Sequence, residues 1–148
     1  MKKILIAFIG IFLFACLAVQ AADLVIESKT QTFNEGDSKI KFSGDVKVSV
    51  DSLRVEGQKA DVNVIDGQKL DTATFYDKPY AYEIKKNKKR EVKANILKLS
   101  LITKVVRAEG DSQSIVFEGQ KPIVVINADV QEYNTKTGVM TATGAVTI

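Results

Sequence analysis

The chain has 148 residues, a formal net charge of +3 and no histidine. This length is sufficient for one domain with its own core, and a hydrophobic content of 45% excludes a disordered chain. The near balance of 21 basic and 18 acidic residues predicts no nucleic-acid partner. Without histidine the chain lacks the commonest general base and the commonest metal ligand, so we expect neither an enzyme nor a bound cofactor or metal.

Residues 1–22 have the pattern of a secretory signal peptide. Lys2 and Lys3 precede an apolar run over residues 4–19, and the small residues Ala21 and Ala22 follow it. A positive start, a short apolar stretch and small residues at the cut are typical of such a leader, so the mature domain is predicted to cover residues 23–148. Two alternatives stay open: an uncleaved membrane anchor made of residues 4–19, or a lipoprotein site at Cys16.

Cys16 is the only cysteine in the chain, and cleavage removes it whether the mature chain starts at Ala22 or at Asp23. The mature protein would therefore contain no disulfide, although a secreted chain reaches an oxidising compartment. Its stability must then come from apolar burial and strand pairing, which a domain of this size can supply.

Beyond residue 22, apolar and polar residues alternate with period two, which predicts half-buried β-strands. The clearest run has its apolar residues on one parity: Ile40, Phe42, Val46, Val48 and Val50. The same alternation predicts one apolar strand face at four further places: Leu24 and Ile26; Ala60, Val62 and Val64; Tyr80, Tyr82 and Ile84; Met140, Ala142, Val146 and Ile148. Glycine- and asparagine-containing turns separate the runs, so we predict about ten to twelve short strands in an all-β sandwich, barrel or rolled antiparallel sheet.

A weak internal repeat has a period of 34 residues. Ala60, Ala94 and Ala128 are each followed by an aspartate or asparagine. Such a period indicates one supersecondary unit stacked several times, in a solenoid-like object whose ends can join one another. We assign the recurring polar residue a structural role at a bend or strand end in preference to a metal or sugar site.

One dense basic run covers residues 85–90, between the predicted strands at Tyr80–Ile84 and Val92–Ile96. The simpler interpretation is a solvated hairpin loop. The alternative is a contact for anionic lipid head groups or for an acidic partner, in which the lysines act as point charges.

The apolar parity of so many strands must be covered, because a solvated apolar face of this length would aggregate. One interpretation is an ordinary sandwich core. The other is a rolled sheet that leaves an open slot lined by aliphatic and aromatic side chains, in which acyl chains can lie.

Five segments favour the second interpretation through a resemblance. They are LVIESK at 24–29, FSGDVKV at 42–48, QKADV at 58–62, ATFY at 73–76 and TGAV at 143–146. In their order and spacing they resemble the OstA-like family of lipopolysaccharide-transport proteins, over essentially all of residues 24–148.

The resemblance implies a V-shaped β-jellyroll in the periplasm that stacks head to tail through its terminal strand edges. It also implies that lipid A acyl chains lie along the interior. Matched by position, the groove-lining residues are Leu24, Ile26, Phe42, Phe75, Leu99 and Leu101. The implied partners are lipopolysaccharide or lipooligosaccharide, and the OstA-like domains of an inner-membrane LptC-like protein and an outer-membrane LptD-like protein.

We therefore predict a periplasmic bridge subunit that carries lipopolysaccharide from the inner to the outer membrane and performs no chemistry. A membrane-anchored LptC-like partner is the alternative within the same pathway. A structural β-module with a filled core, polymerising by edge pairing, is the alternative from another class. A carboxylate-based hydrolase would require two acids that converge in one cleft.

Overall fold

The computed structural model describes residues 24–34, 36, 38–66 and 69–148. The predicted signal peptide, residues 1–22, lies outside them. Within the described ranges, no helix has both the length and the apolar character needed to cross a membrane.

The described chain folds into eleven antiparallel strands, in agreement with the predicted number. They are β1 (Leu24–Glu27), β2 (Thr30–Asn34), β3 (Lys39–Val50), β4 (Leu53–Ile65), β5 (Lys69–Tyr76), β6 (Tyr80–Lys85), β7 (Lys88–Lys93), β8 (Ile96–Ser100), β9 (Val105–Glu118), β10 (Lys121–Asn134) and β11 (Met140–Thr143). The prediction of an all-β, rolled antiparallel sheet is confirmed.

The strands form two half-sheets, because the long strands β3, β4, β9 and β10 pair with different neighbours along their two halves. Half-sheet A consists, in spatial order, of β2, residues 39–43, residues 59–65, β5, β8, residues 105–109, residues 130–134 and β11. Half-sheet B consists of β1, residues 46–50, residues 53–57, β6, β7, residues 113–118 and residues 121–128.

The chain passes from one half-sheet to the other along a single crease. Register shifts in the pairing of β3 with β4 and of β9 with β10 mark the points where these strands bend. The turns between paired strands all lie at the opposite ends of the half-sheets, which we call the hairpin side. The fold is thus closed by the chain at the crease and by side-chain contacts at the hairpin side.

Glycines at positive φ make the sharp bends at the crease. Gly44, Gly110 and Gly144 have φ between 81° and 85°, and the residue after each also has a positive φ. The carbonyl oxygens of Gly110 and Gly144 accept hydrogen bonds of 3.0 and 2.8 Å from the backbone N–H groups of Asn95 and Asp129. The structural role predicted for the recurring polar residue is thus confirmed at these two positions, and the 34-residue period reflects successive turns through the crease.

The core lies between the half-sheets. It contains all five residues of the apolar face predicted for β3. Its buried side chains come from both half-sheets and form one cluster, which includes Phe42, Val46, Val55, Val62, Phe75, Leu97, Leu99 and Val106. Burial of this face is the main stabilising contribution that a chain without disulfides can make.

The predicted alternation of β6 is inverted in the structure. The prediction placed three residues on its apolar, inward face: Tyr80, Tyr82 and Ile84. Instead Ala81 and Glu83 are buried in the interior. Ala81 pairs with Val55 and with Val92, which are core residues, and directly paired residues point to the same face of a sheet. The prediction was wrong because neighbouring strands, and not the bulk of the tyrosines, decide which face of β6 is buried.

The last predicted strand is also shorter than its alternation suggested. Strand β11 ends at Thr143, and the chain then bends through Gly144 and Ala145 at positive φ. Thr147 returns to half-sheet B through an isolated bridge to Asn127, and Val146 and Ile148 are exposed. The four apolar residues of this run therefore do not share one buried face.

Candidate functional site

The inner faces of both half-sheets carry continuous rows of directly paired side chains that run across the strands. In half-sheet A one row is Phe42, Ala60, Phe75, Leu97, Ala108 and Gln131, and the next is Ile40, Val62, Ala73, Leu99, Val106 and Tyr133. In half-sheet B one row is Ile26, Val48, Val55, Ala81, Val92 and Ser114. These rows define the long axis of the interior, from the N-terminal edge at β1 and β2 to the C-terminal edge at β10 and β11.

All six residues predicted to line a groove lie on or against this interior. Three are buried within it: Phe42, Phe75 and Leu99. The other three are partly buried and pack against the same cluster: Leu24, Ile26 and Leu101. Leu24 and Ile26 are on β1, at the N-terminal edge, where they pair with Val50 and Val48. The structure brings the six residues to one surface; whether they contact lipid stays a prediction.

The interior is filled in this conformation, so the expectation of an open slot is not met among the described residues. Phe75 is 0% and Leu99 1% exposed. The cavity found between the half-sheets measures about 10 Å³, which is no more than one water molecule needs. A larger depression of about 500 Å³ lies at the crease, where Tyr76, Lys78 and Ile96 are among its lining residues.

The interior changes from apolar to polar toward its C-terminal end. Ser112, Ser114 and Gln131 are buried there and form a closed network. Gln131 Nε2 donates to Ser112 Oγ at 3.0 Å, and Ser114 Oγ donates to Gln131 Oε1 at 2.6 Å. Among the described residues no buried side-chain nitrogen or oxygen lacks a partner. These residues therefore do not supply an unoccupied polar site.

A second polar cluster joins the two half-sheets at the hairpin side, and we call it the clasp. It consists of Glu83, Tyr133, Ser52, Lys85 and Thr135. The Tyr133 hydroxyl donates to Glu83 Oε1 at 2.6 Å, Ser52 Oγ donates to Glu83 Oε2 at 3.1 Å, and Lys85 Nζ lies 3.4 Å from the same Oε2. Lys85 Nζ also donates to the carbonyl oxygen of Thr135 at 2.8 Å. Glu83 and Lys85 belong to half-sheet B, whereas Tyr133 belongs to half-sheet A and Thr135 directly follows β10. The bonds of Glu83 to Tyr133 and of Lys85 to Thr135 therefore span the interior.

The clasp is buried enough to change the acidity of its tyrosine. Glu83 is 2% and Tyr133 5% exposed. Burial, reinforced by the hydrogen bond to Glu83 and the negative charge of that carboxylate, raises the pKa of Tyr133 to about 12. The Arg90 guanidinium lies 5.1 Å from the centre of the Tyr133 ring and acts in the opposite direction.

Sequence reasoning missed the clasp. Glu83 stands between Tyr82 and Ile84, which made its parity look solvent-exposed, and Tyr133 is 50 residues away in the chain. The only signal in the sequence was Glu83 itself, which stands among Ala81, Tyr82 and Ile84. That pattern does not distinguish a carboxylate that faces solvent from one that is buried.

The basic run forms a solvent-exposed hairpin, as the simpler interpretation predicted, but the connection is a two-residue turn and the second half of the run lies on β7. Strand β7 begins at Lys88, so only Lys86 and Asn87 lie between the strands. Lys89 Nζ lies 3.0 Å from Glu91 Oε2 and 5.3 Å from the centre of the Tyr82 ring, on the outer face. The run thus has two parts. Lys86 and Asn87 form a turn at the hairpin side, and Lys89 lies on the outer face of β7.

Both ends of the interior present unsaturated strand edges. Strands β1 and β2 pair only with β3 among the described strands, and β11 pairs only with β10. Ile148 is 90% exposed at the C-terminal edge, next to Thr147, which bridges to Asn127 of β10, and Val146 is also exposed. Such edges are competent for strand addition. The described ranges contain no group of three or more acidic or cysteine side chains suited to an ion.

Comparisons with known proteins agree with this geometry. Residues 25–121 match the family described as "LptA/(LptD N-terminal domain) LPS transport protein". The crystal structure of LptH from Pseudomonas aeruginosa, described as the LptA-homologous periplasmic component of the lipopolysaccharide transport device, superposes with a TM-score of 0.70 at 13% identity, covering 82% of each chain. No curated protein sequence matches the chain. The structural likeness confirms the β-jellyroll fold.

Proposed function

The chain belongs to this family of lipopolysaccharide transport proteins, and from that premise we propose that it is a periplasmic bridge subunit. In this proposal, the acyl chains of lipopolysaccharide or lipooligosaccharide lie between the half-sheets on their way from the inner to the outer membrane. The family is one of transport proteins, so the predictions of the OstA-like resemblance and of a protein that is not an enzyme are confirmed.

The observation that carries the proposal is the set of paired rows that crosses both half-sheets. These rows are apolar except at their C-terminal members Gln131, Tyr133 and Ser114. Transfer of an acyl chain from water onto such a surface is worth about 0.8 kcal/mol per methylene group. Because the rows run from one open edge to the other, a chain that slides along them stays out of water. Stacking of copies edge to edge would continue the rows from one subunit to the next.

Loading requires the half-sheets to part, because the interior is filled in the described conformation. The crease cannot open without breaking backbone pairing, since β3, β4, β9 and β10 run through it. The hairpin side is closed only by side chains, among which the clasp provides the hydrogen bonds. Lipid would therefore enter from the hairpin side or from an open edge, with Leu24 and Ile26 at the N-terminal edge.

The proposal includes the remaining predictions. Residues 1–22 direct the chain to the periplasm and are removed, which N-terminal sequencing of the periplasmic protein would test. The β1 and β2 edges and the β11 edge bind copies of the chain and the OstA-like domains of LptC-like and LptD-like partners. An uncleaved N-terminal segment would favour the LptC-like alternative.

The test is site-specific photo-crosslinking to lipopolysaccharide at neighbouring positions of β8. Leu99 faces the interior and Lys98 faces outward, so a photoreactive residue at 99 should form a lipid adduct and one at 98 should not. Equal labelling at both positions would contradict the interior path. Ile26→Glu should abolish the adduct at 99 while Val25→Glu, on the opposite face of β1, should preserve it.

A structural β-module is the second candidate, and the filled interior is the observation in its favour. That candidate predicts edge-to-edge polymers without lipid. Mass spectrometry of organic extracts from the purified mature protein discriminates the two, because only the bridge subunit should retain acylated saccharide lipid.

A further inference from the structure

The turns of the hairpin side differ in charge between the two ends of the molecule. At the N-terminal end the ionisable residues that the structure describes in these turns are acidic: Asp51 and Asp66. At the C-terminal end they contain only basic ones: Lys86, Lys104 and Lys136. A separation of this kind along one side gives that side a positive potential at one end and a negative potential at the other.

The three basic turns touch one another at Thr135. Lys85, next to Lys86, donates from its Nζ to the Thr135 carbonyl oxygen at 2.8 Å. The Thr135 hydroxyl donates to the Lys104 carbonyl oxygen at 2.9 Å, and Lys136 follows Thr135 in the chain. Lys85, Lys86, Lys104 and Lys136 thus form one group, which we call the lysine rim.

Three members of the rim have no fixed counter-charge. Lys86, Lys104 and Lys136 take part in no ion pair with any residue that the structure describes. Glu83 contacts the rim through Lys85, and its buried carboxylate also accepts hydrogen bonds from Tyr133 and Ser52. The rim can therefore accept an anion without first losing a salt bridge at these three positions.

The same turns carry exposed aliphatic side chains. Ile84 is 57%, Ile102 41% and Val139 60% exposed, each within the residues that form or flank a basic turn. Lysines interleaved with exposed aliphatic residues match an amphiphile that has both negative charge and hydrocarbon chains. An acidic protein surface would match the lysines but would leave the aliphatic residues unexplained.

We propose that the lysine rim is a headgroup site, which binds the phosphate groups of an anionic lipid while its acyl chains pass the clasp into the interior. This inference rests on the proposed function and names the part of the ligand that the interior itself cannot recognise. Lysine ammonium groups bind phosphate as mobile point charges, which suits a ligand that must move on.

The test compares two variants of equal net charge. The rim variant is Lys86→Gln/Lys104→Gln/Lys136→Gln, which leaves Lys85 and the clasp intact. The control is Lys41→Gln/Lys47→Gln/Lys59→Gln, three exposed lysines on β3 and β4 at the N-terminal half. The probes are diphosphorylated lipid A and fully dephosphorylated lipid A in detergent micelles, with binding followed by fluorescence.

We expect the rim variant to bind diphosphorylated lipid A about 10- to 100-fold more weakly than the parent, since each lysine near an anionic lipid surface contributes on the order of a few-fold to tenfold in affinity. The control should stay within about threefold of the parent, and dephosphorylated lipid should bind all three proteins equally. Urea unfolding should show the same midpoint for all three, because the substituted side chains are at the surface.

Several outcomes would overturn the headgroup site. They are parent-like affinity in the rim variant, equal weakening in the control, or complete displacement of the lipid by millimolar inorganic phosphate, which would assign the rim to a free ion. Lipid affinity that persists while cross-linking to a protein partner is lost would assign the rim to an acidic protein. A parent that binds dephosphorylated and diphosphorylated lipid equally refutes the rim alone, whereas a parent that binds neither refutes the proposed function as well.

Discussion

The two ends of the interior have the same backbone frame but different linings. The N-terminal end, between β1 and β5, is lined by apolar side chains such as Phe42, Val46 and Phe75. The C-terminal end contains two hydrogen-bonded polar clusters, centred on Gln131 and on Glu83. Apolar packing is non-directional and tolerates the sliding of a hydrocarbon, whereas buried hydrogen bonds specify one arrangement. In the proposed function, the apolar end is therefore the part that would hold acyl chains, and the polar end is the part that keeps the half-sheets in register.

The largest expected effect concerns the apolar end. Phe75→Ala should lower the free energy of unfolding by about 3–5 kcal/mol, because it removes a fully buried aromatic ring at the centre of a paired row. Phe33→Ala, at an exposed position on β2, should cost less than about 0.5 kcal/mol. Urea denaturation measures both. A cost below about 1 kcal/mol at Phe75 would indicate that this end is loosely packed and already open.

The second prediction tests whether the backbone bends at the crease are equally constrained at the two ends of the interior. Alanine at Gly44 would place its Cβ 2.8 Å from Lys29 Cβ, and alanine at Gly144 would place it 2.5 Å from Asp129 Oδ2, both at positive φ. We expect each substitution to cost about 2–3 kcal/mol in urea unfolding. Gly138→Ala, also at positive φ but facing open space, should cost about 1 kcal/mol. Unequal costs at the two crease positions would mean that the ends differ in backbone as well as in lining.

The third prediction concerns the polar end. Tyr133→Phe should destabilise the fold by about 1–2 kcal/mol, because the buried Glu83 carboxylate loses a hydrogen-bond donor. The double variant Glu83→Leu/Tyr133→Phe should recover part of that loss, since it removes the buried charge together with its partner. Tyr76→Phe is the matched control, because its hydroxyl donates to the half-exposed Asp61. A double variant less stable than Tyr133→Phe would show that the clasp stabilises the fold by more than its desolvation cost.

The smallest expected effect is a fall in the free energy of unfolding at alkaline pH. Within the interior, it should come from Tyr133 at the polar end. The folded pKa of Tyr133, about 12, lies above the ordinary value of 10.0, mainly because of burial. Folding therefore favours the neutral phenol, and this contribution is complete below pH 10 and is lost as the pH rises toward 12. Burial also raises the pKa of Tyr76 and of Tyr80, so the parent and all variants should lose some stability there.

The measurement is the difference between the parent and Tyr133→Phe in urea unfolding at a series of pH values above 9. The free energy of unfolding should decline less steeply with pH in the variant than in the parent, because Glu83 and Arg90 then face a ring that cannot ionise. Identical slopes would contradict the assignment of the alkaline loss to the clasp.

Much of the fold followed from the sequence because its signals are local. Period-two alternation identified β3, and its inward residues Ile40 to Val50 are buried as predicted. The 34-residue spacing of Ala60, Ala94 and Ala128 corresponds to successive passages of the crease. The family resemblance likewise rested on short segments whose order survives in the chain.

Other features could not be derived from the sequence because they depend on contacts distant in the chain. Strand β6 has tyrosines on one face and Ala81 and Glu83 on the other. The pairing of Ala81 with Val55 and Val92 determines that the second face is the buried one. The clasp likewise needs β6 and β10, which are 50 residues apart.

The sequence alone indicated an all-β member of a lipopolysaccharide transport family, because alternation, turn residues and short family segments are properties of neighbouring residues. The tertiary structure was needed to show that the interior is filled, that its C-terminal end is polar, and that Lys85 at the end of β6 forms one rim with a lysine from each of three turns. The physical reason is that period two fixes only the alternation of faces along a strand, whereas the packing of distant strands chooses the buried face and the charges that meet at its border.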